Sequence, residues 1–101
     1  MALNLTTKKE GASITVVLDG ELNTQTAPEL KELLEECIDK SNVLFLDFAM
    51  CDFVSSAGLR VLLNTFKSMK AKKGKMTLLN VGPGFGEVLN ITGLDAVFNA
   101  K

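Results

Sequence analysis

Histidine, tryptophan and tyrosine are all absent from this chain of 101 residues. Without histidine there is no Ser-His-Asp or Cys-His catalytic group and no His-Glu-x-x-His zinc site. Phenylalanine is the only aromatic residue left to stack on nucleic-acid bases, and the formal net charge is −1, whereas nucleic-acid-binding domains are usually basic. The composition therefore excludes histidine-dependent enzymes and argues against a nucleic-acid partner.

Only two cysteines are present, Cys37 and Cys51, and they lie fourteen positions apart. This spacing matches no metal-binding or redox motif. Free cysteine behaves as a small apolar residue and is often buried, so we expect both side chains to lie in the core. The sequence predicts no metal site and no cofactor.

Long uncharged stretches are also missing. The longest runs over the eleven residues from Met76 to Gly86 and is broken by Gly82-Pro83-Gly84. A membrane-spanning helix needs about 20 consecutive apolar residues, so no membrane span is expected. The N-terminal segment MALNLTTKKE lacks the apolar core of a signal peptide, and the expected location is the cytoplasm.

Hydrophobic residues make up 47% of the chain and charged residues 23%, proportions typical of a folded domain. Neither an internal repeat nor a linker is visible, which predicts one domain over residues 1–101. Charge is uneven, because residues 1–50 have a net charge of −5 and residues 51–101 of +4. The lysines from Lys67 to Lys75 are interpreted as a solvated helix end, where cations suit the helix dipole, with an electropositive partner surface as the alternative.

Alternating strand and helix patterns predict an α/β domain with a small mixed, mostly parallel β-sheet covered by three to four helices. Alternating and β-branched residues predict strands at Leu3–Thr7, Ser13–Leu18, Val43–Phe48, Met76–Val81 and Ala96–Phe98. Apolar residues at helical spacing from Leu30 to Ile38, from Leu59 to Met69 and from Phe85 to Thr92 predict three helices. The second is expected to continue through the lysines and to end near Gly74. The third strand, which is almost wholly apolar, is expected to be buried on both faces.

Three local patterns refine this outline. Thr26-Ala-Pro-Glu29 has the form of a capping box at a helix start. Gly93 is expected to end the last helix in a left-handed conformation. The Gly82-Pro83-Gly84 segment does not fit the dinucleotide fingerprint, since Glu87 stands where the third glycine is required, and we interpret the segment as a turn.

Ser55-Ser56-Ala57-Gly58 stands between a predicted buried strand and an amphipathic helix. A serine at a helix start usually caps it by accepting a backbone N–H bond. The carboxyl ends of parallel strands are also where α/β proteins place functional residues. A helix N-terminus stabilises an anion, and a phosphate would add about −1.5 to −2 charges there without unravelling the helix. Capping and phosphorylation are therefore both open for this turn.

The segment Phe53-Val-Ser-Ser-Ala-Gly-Leu-Arg-Val-Leu-Leu63 resembles the signature of STAS domains, specifically of the bacterial anti-sigma factor antagonists. The resemblance covers nearly the whole chain. It implies that residues 1–101 form a single STAS domain. Its other parts are Leu18-Asp-Gly-Glu-Leu-Asn23, Thr26-Ala-Pro-Glu-Leu30, Lys75-Met-Thr-Leu-Leu-Asn80 and Ile91-Thr-Gly-Leu94.

The family's phosphorylated serine stands two positions before the glycine of this signature. Aligned on Gly58, the resemblance implies that Ser56 is phosphorylated, with Ser55 as the less favoured candidate. Family members often carry aspartate at the positions of Ser55 and Asn23, so this chain lacks two acids around the site.

The resemblance implies a phosphorylation-switched binding protein with no catalysis of its own. The unphosphorylated form would bind an anti-sigma factor that is also an ATP-dependent serine kinase and would thereby free the sigma factor. Phosphorylation would separate the complex, and a serine phosphatase would reset it. We expect a monomer, because the partner surface must stay free.

The expected docking surface combines the loop at residues 23–25, the turn at residues 55–58 and the exposed side of the following helix. Its predicted contact residues are Asn23, Thr24, Ser55, Ser56, Ala57, Gly58 and Arg60. Gly58 has two interpretations: it allows close helix–strand packing, or it clears space beside Ser56 for the phosphate donor of the kinase.

Three rival functions differ in what they predict. A STAS scaffold or regulatory subunit of a signalling assembly or transporter is the main alternative, although the small size of the chain favours a free-standing antagonist. A small nucleotide-binding enzyme would bind ATP by itself. A purely structural subunit would show no changed interaction on Ser56→Asp.

Overall fold

Four strands and four helices follow one another along residues 3–98, the part of the chain that the computed structural model describes. Their bounds are β1 Leu3–Glu10, β2 Ser13–Leu22, α1 Ala27–Lys40, β3 Val43–Val54, α2 Ser56–Ala71, β4 Lys75–Leu79, α3 Pro83–Thr92 and α4 Leu94–Phe98. No helix within these residues is long and apolar enough to cross a membrane.

The strands form one sheet in the order β1-β2-β3-β4. β1 is antiparallel to β2, whereas β2, β3 and β4 run parallel, which confirms the predicted mixed, mostly parallel sheet. The carboxyl ends of the three parallel strands meet at one edge of the sheet, which we call the carboxyl edge. The connections into α1, α2 and α3 all begin there.

β3 is twice as long as its apolar sequence pattern predicts. Its register with β4 ends at the Asp47–Leu79 pair, but it stays paired with β2 as far as Val54. Two register shifts, on either side of Asp19, let β3 keep this pairing. Residues 49–54, which lie beyond the predicted strand Val43–Phe48, therefore continue β3 and carry Ser55 to the carboxyl edge.

Helices cover one face of the sheet, and the described residues leave the other face partly exposed. Leu44 and Leu46 are buried beneath the helices, whereas Phe45 on the opposite face is only partly buried. Phe85 of α3 packs on Phe48 of the covered face, with ring centroids 4.9 Å apart. The expectation that this strand is buried on both faces is wrong, because the two crossovers β2-α1-β3 and β3-α2-β4 have the same hand and place both helices on one side.

The described chain ends in a short helix. Gly93 ends α3 in a left-handed conformation with φ of 75°, as predicted. The strand predicted at Ala96–Phe98 is wrong, since these residues belong to α4. Leu94 and Phe98 lie four residues apart on one helical face, and the buried ring of Phe98 meets Phe66 of α2 edge-on at 5.8 Å.

Both cysteines lie in the core, as predicted. Cys37 on α1 and Cys51 on β3 are buried and carry free thiols. Burial raises the pKa of both thiols above the ordinary value, because the charged thiolate loses its hydration there. These thiols therefore behave as small apolar groups.

One residue of the lysine-rich segment stabilises a neighbouring helix. Lys72 is the C-cap residue of α2, and its Nζ donates to the backbone carbonyl oxygens of Ile38 and Ser41 at the end of α1. Carbonyl groups at a helix end lack intrahelical partners, so the ammonium group completes α1. Lys67 and Lys70 are exposed, in agreement with a solvated helix end.

Candidate phosphorylation and docking site

Ser55 begins α2 as its N-cap residue. Its extended backbone (φ −80°, ψ 171°) aims Oγ back at the helix, where it accepts the N–H of Gly58 at 3.2 Å. The N–H of Ser55 itself donates to the carbonyl oxygen of Leu22 at 2.8 Å, which ties the end of β3 to the end of β2. The capping interpretation therefore applies to Ser55.

Ser56 is the first residue of α2 and is exposed. Among residues 3–98, its hydroxyl has no side-chain hydrogen-bond partner, because Ser55 already supplies the cap. The hydroxyl of Ser56 thus stands at a helix N-terminus, open to solvent and without a structural task. The two neighbouring serines therefore differ: Ser55 supplies the cap, and Ser56 leaves its hydroxyl exposed.

Gly58 lies where α2 crosses the end of β2. A Cβ atom at this position would approach Leu22 to 2.5 Å from Cγ and 3.0 Å from Cδ2. Leu22 is fully buried, and its backbone oxygen would also lie within 3.3 Å of the added Cβ. The contact supports the packing interpretation of this glycine, and it fixes the distance between the serine turn and the loop that follows Leu22.

The loop between β2 and α1 is held by side chains that bond to its own backbone. Asn23 Oδ1 accepts the N–H groups of Gln25 at 2.9 Å and Thr26 at 3.0 Å. Thr26 Oγ1 donates to the carbonyl oxygen of Glu21 at 2.7 Å and accepts the N–H of Asn23 at 2.8 Å. The capping-box prediction is wrong, because Thr26 bonds backward into the loop and makes no side-chain cap.

Asn23 holds this loop through its side-chain oxygen alone. Both of its bonds use only the oxygen of the amide group, which a carboxylate would supply equally well. The amide forms the turn without placing a negative charge there. Thr24, next in the chain, is exposed on the resulting loop.

The other predicted contact residues lie on α2. Arg60 is exposed and stands four residues after Ser56, hence on the same side of the helix. Ala57 is half-buried against the core. The structure thus places Thr24, Ser56 and Arg60 on the surface, while Gly58 lies beneath it.

Asp52 has a role that the sequence did not reveal. Its carboxylate accepts the N–H of Gly84 at 3.1 Å and of Phe85 at 3.0 Å, so it caps α3 from β3. Cβ atoms at Gly82 and Gly84 would lie 2.5 Å and 2.8 Å from its oxygens. The prediction of a turn is wrong here: Gly82 is the N-cap of α3, Pro83 opens the helix, and the glycines admit the carboxylate.

The second carboxylate at the carboxyl edge is also engaged. Asp47 Oδ1 accepts the N–H of Ala49 at 2.9 Å and Nδ2 of Asn80 at 3.0 Å. Within residues 3–98, no three His, Cys, Asp or Glu side chains are grouped so that they could hold a metal ion. The carboxylates of Asp47 and Asp52 thus both accept hydrogen bonds that stabilise the surrounding structure.

Comparison with known proteins decides the family. The family model for the STAS domain matches residues 4–101. The chain belongs to the STAS domain family. This confirms the resemblance that rests on residues 53–63.

Relatives of this STAS domain carry regulatory names. BtrV of Bordetella bronchiseptica, named as a candidate anti-sigma factor antagonist, is 32% identical over 97 residues, which cover 95% of this chain and 84% of BtrV. The anti-sigma-B factor antagonist of Bacillus subtilis is 28% identical over 99 residues, or 98% of this chain and 91% of the relative. Both relatives are thus named as antagonists of anti-sigma factors.

Solved structures share the fold. SpoIIAA of Bacillus, an anti-sigma factor antagonist, aligns in its unphosphorylated form with a TM-score of 0.83 at 20% identity, over 99% of this chain and 88% of SpoIIAA. Its phosphorylated form aligns with a TM-score of 0.78 at 20% identity, over 99% and 89% of the two chains. These values show that this STAS domain has the same fold.

Proposed function

We propose that this STAS domain is an anti-sigma factor antagonist that is switched by phosphorylation of Ser56. The observation that supports the proposal is that the two serines have different structural roles. Ser55 caps α2, while the hydroxyl of Ser56 is exposed at the first position of the helix. A phosphate on Ser56 would leave the cap intact, so both states of the protein stay folded.

The unphosphorylated form binds an anti-sigma factor and so frees a sigma factor. The docking surface combines the loop at Asn23–Gln25, the turn at Ser55–Gly58 and the side of α2 that carries Arg60. The bond from the N–H of Ser55 to Leu22 and the packing of Gly58 on the same leucine support this grouping, because they join the loop to the turn.

The partner is an anti-sigma factor with ATP-dependent serine kinase activity, and a serine phosphatase resets the switch. The kinase must hold the phosphates of its nucleotide opposite Ser56. A phosphate on Ser56 would then face like charges and lose hydration in the interface, whereas in the free protein it would remain in water at the N-terminus of α2. A loss of about 3 kcal/mol would weaken binding more than about 100-fold.

The chain itself performs no catalysis in this scheme. It contains no histidine, and the carboxylates Asp47 and Asp52 are used to hold backbone and side-chain amide groups. The protein acts as a monomer in the cytoplasm, where its partners regulate transcription, and its docking surface stays free for the kinase.

The proposal is tested by retention of the partner on immobilised protein. Wild type and Ser56→Ala are expected to retain one ATP-binding protein kinase from a native lysate, identified by mass spectrometry, and Ser56→Asp is expected to lose it. Added ATP should release the kinase from wild type, which becomes phosphorylated, and should leave it on Ser56→Ala.

Ser55→Asp is the matched control, because it adds the same charge one residue earlier and aspartate is itself a good N-cap. This variant should retain the kinase. Equal retention by Ser56→Asp and wild type would contradict the proposal and would favour the scaffold or transporter-subunit alternative.

A further inference from the structure

Two large apolar side chains are exposed beside the serine turn. Met50 is 54% exposed and Phe53 is 52% exposed, on the part of β3 that extends past the end of β4. Single exposed apolar residues are common on protein surfaces. Here two occur within four residues, and the second lies three positions before Ser56.

The register of β3 explains why these side chains face solvent. Beyond Asp47, β3 keeps β2 as its only strand neighbour among the described residues, and the register shifts bring Met50 opposite Asp19 and Phe53 opposite Glu21. Phe48 and Cys51 are the buried residues of this segment, and Met50 and Phe53 take no part in the core. The fold therefore has no need of an apolar group at residues 50 and 53.

The surroundings of the two side chains are acidic. Their cross-strand neighbours, Asp19 and Glu21, are carboxylates that make no side-chain hydrogen bond within residues 3–98. No lysine or arginine occurs between Lys9 and Lys31 in the sequence, or between Lys40 and Arg60. The Met50–Phe53 patch, defined as these two side chains with Asp19 and Glu21, is therefore apolar at its centre and negative at its rim.

We infer that the Met50–Phe53 patch is the apolar anchor by which this protein docks on the anti-sigma factor, an inference that rests on the proposed function. The facing surface of the partner would be an apolar pocket with a basic rim. Two observations support this occupant: the patch adjoins the turn of Ser56 along the chain, and its carboxylates complement basic groups.

The physics of interfaces assigns different tasks to the two parts of the patch. In the free protein, the phenyl ring of Phe53 and the thioether of Met50 expose apolar area to water. Side chains of this kind contribute much of the binding energy when they fill a pocket on a partner. The carboxylates of Asp19 and Glu21 steer a basic partner and act mainly on the association rate. The basic rim would lie opposite β2, away from the nucleotide that faces Ser56.

The test measures affinity for the purified anti-sigma factor that the wild-type protein retains. Phe53→Ser and Met50→Ser should each weaken binding by about tenfold or more, chiefly through faster dissociation. Ile91→Ser is the matched control, since Ile91 on α3 is 75% exposed, and it should stay within about threefold of wild type.

The charged rim has a separate readout. The double variant Asp19→Asn, Glu21→Gln should lower the association rate and flatten its dependence on ionic strength. The corresponding pair on α1, Glu32→Gln with Glu35→Gln, should change neither quantity. Thermal unfolding followed by circular dichroism verifies that each variant is folded. If Phe53→Ser does not fold, the double variant of Asp19 and Glu21 still tests the patch.

The outcomes separate this inference from the proposed function. If the patch variants bind like wild type while Ser56→Asp still fails to bind, the Met50–Phe53 patch is not the anchor and the phosphorylation switch stands. If Ser56→Asp also binds like wild type, the proposed function itself is wrong.

Discussion

At the residue scale, neighbouring serines with the same side chain have different tasks because of their backbone positions. The extended conformation of Ser55 directs its hydroxyl into the first turn of α2, where it receives the N–H of Gly58. Ser56 already has helical geometry, and its hydroxyl faces solvent. A modification at Ser56 therefore changes the surface, whereas a change at Ser55 affects the helix start.

This difference predicts unequal effects on stability. Ser55→Ala should lower the free energy of unfolding by about 1 kcal/mol, because α2 loses its cap. Ser56→Ala should change it by less than about 0.5 kcal/mol, since an exposed side chain without a partner is removed. Urea unfolding of the two variants measures both values. A larger loss for Ser56→Ala than for Ser55→Ala would show that the cap has been assigned to the wrong serine.

Gly58 allows a second residue-scale prediction. Gly58→Ala should destabilise the protein by about 1–3 kcal/mol, because its Cβ would lie 2.5 Å from Leu22 Cγ. Gly86→Ala in α3 is the control, where the new Cβ would meet Val81 Cγ1 at 3.5 Å, an ordinary contact. The control should be neutral or stabilising by up to about 1 kcal/mol. Equal thermal midpoints for the two variants would refute the packing role of Gly58.

At the element scale, β3 connects the serine turn to α3. The same segment carries Asp52, whose carboxylate caps α3, and Ser55, which caps α2. The starts of two helices are thus fixed by two residues three positions apart, one near the end of β3 and one directly after it. Movement of this strand end would affect both helices together.

Removing the longer-range cap should loosen α3 selectively. Asp52→Ala should lower stability by about 1 kcal/mol and speed amide hydrogen exchange in α3, because the N–H groups of Gly84 and Phe85 lose their acceptor. Asp39→Ala, an exposed acid near the end of α1, is the control. Unchanged exchange in α3 of the Asp52→Ala variant would mean that this cap contributes nothing.

The same element shows where sequence reasoning succeeds and where it fails. The amphipathic period of α1 and α2, the apolar start of β3 and the identity of the serine turn are local patterns, and each was predictable. The cap that Asp52 provides joins residues about 32 positions apart, and the register shifts of β3 arise from pairing with β2. Such tertiary contacts leave no periodic signal in the chain.

The C-terminal strand prediction failed for a related reason. A segment as short as Ala96–Phe98 has no period that separates strand from helix. Its conformation is decided by the ring of Phe98, which is buried against Phe66 of α2. Packing on a distant element therefore overrode the local pattern.

At the scale of the whole molecule, charge is divided between the two ends of the parallel strands. The carboxyl edge holds Asp19, Glu21, Asp47 and Asp52, and the basic residues near Lys67–Lys75 gather where α2 ends and β4 begins. A partner that approaches the serine turn therefore meets a negative surface with Arg60 as its nearest base in the sequence. This asymmetry predicts that complex formation slows as ionic strength rises.

The buried thiols report on opening of the whole fold. Because burial raises the pKa of Cys37 and Cys51, the native state holds their protons above about pH 8.5, where unfolded thiols ionise. Their contribution to stability is complete below that pH and is lost as pH rises toward the folded-state pKa. The free energy of unfolding should fall as pH rises above about 8.5, and less steeply in Cys51→Ala.

Thiol labelling gives the matching kinetic measurement. Both cysteines should resist Ellman's reagent in the native protein and react fully in urea, because the reagent needs an accessible thiolate. Rapid labelling of the folded protein would contradict the burial of these residues.

The central claim is that phosphorylation of Ser56 separates this STAS domain from its kinase. The most direct measurement incubates the purified protein with the purified anti-sigma factor and ATP, maps the modified peptide by mass spectrometry and follows the complex by size-exclusion chromatography. The account predicts one phosphate, on Ser56, and dissociation of the complex, with neither in Ser56→Ala. A phosphate on Ser55 alone, or a complex that persists after Ser56 is modified, would contradict it.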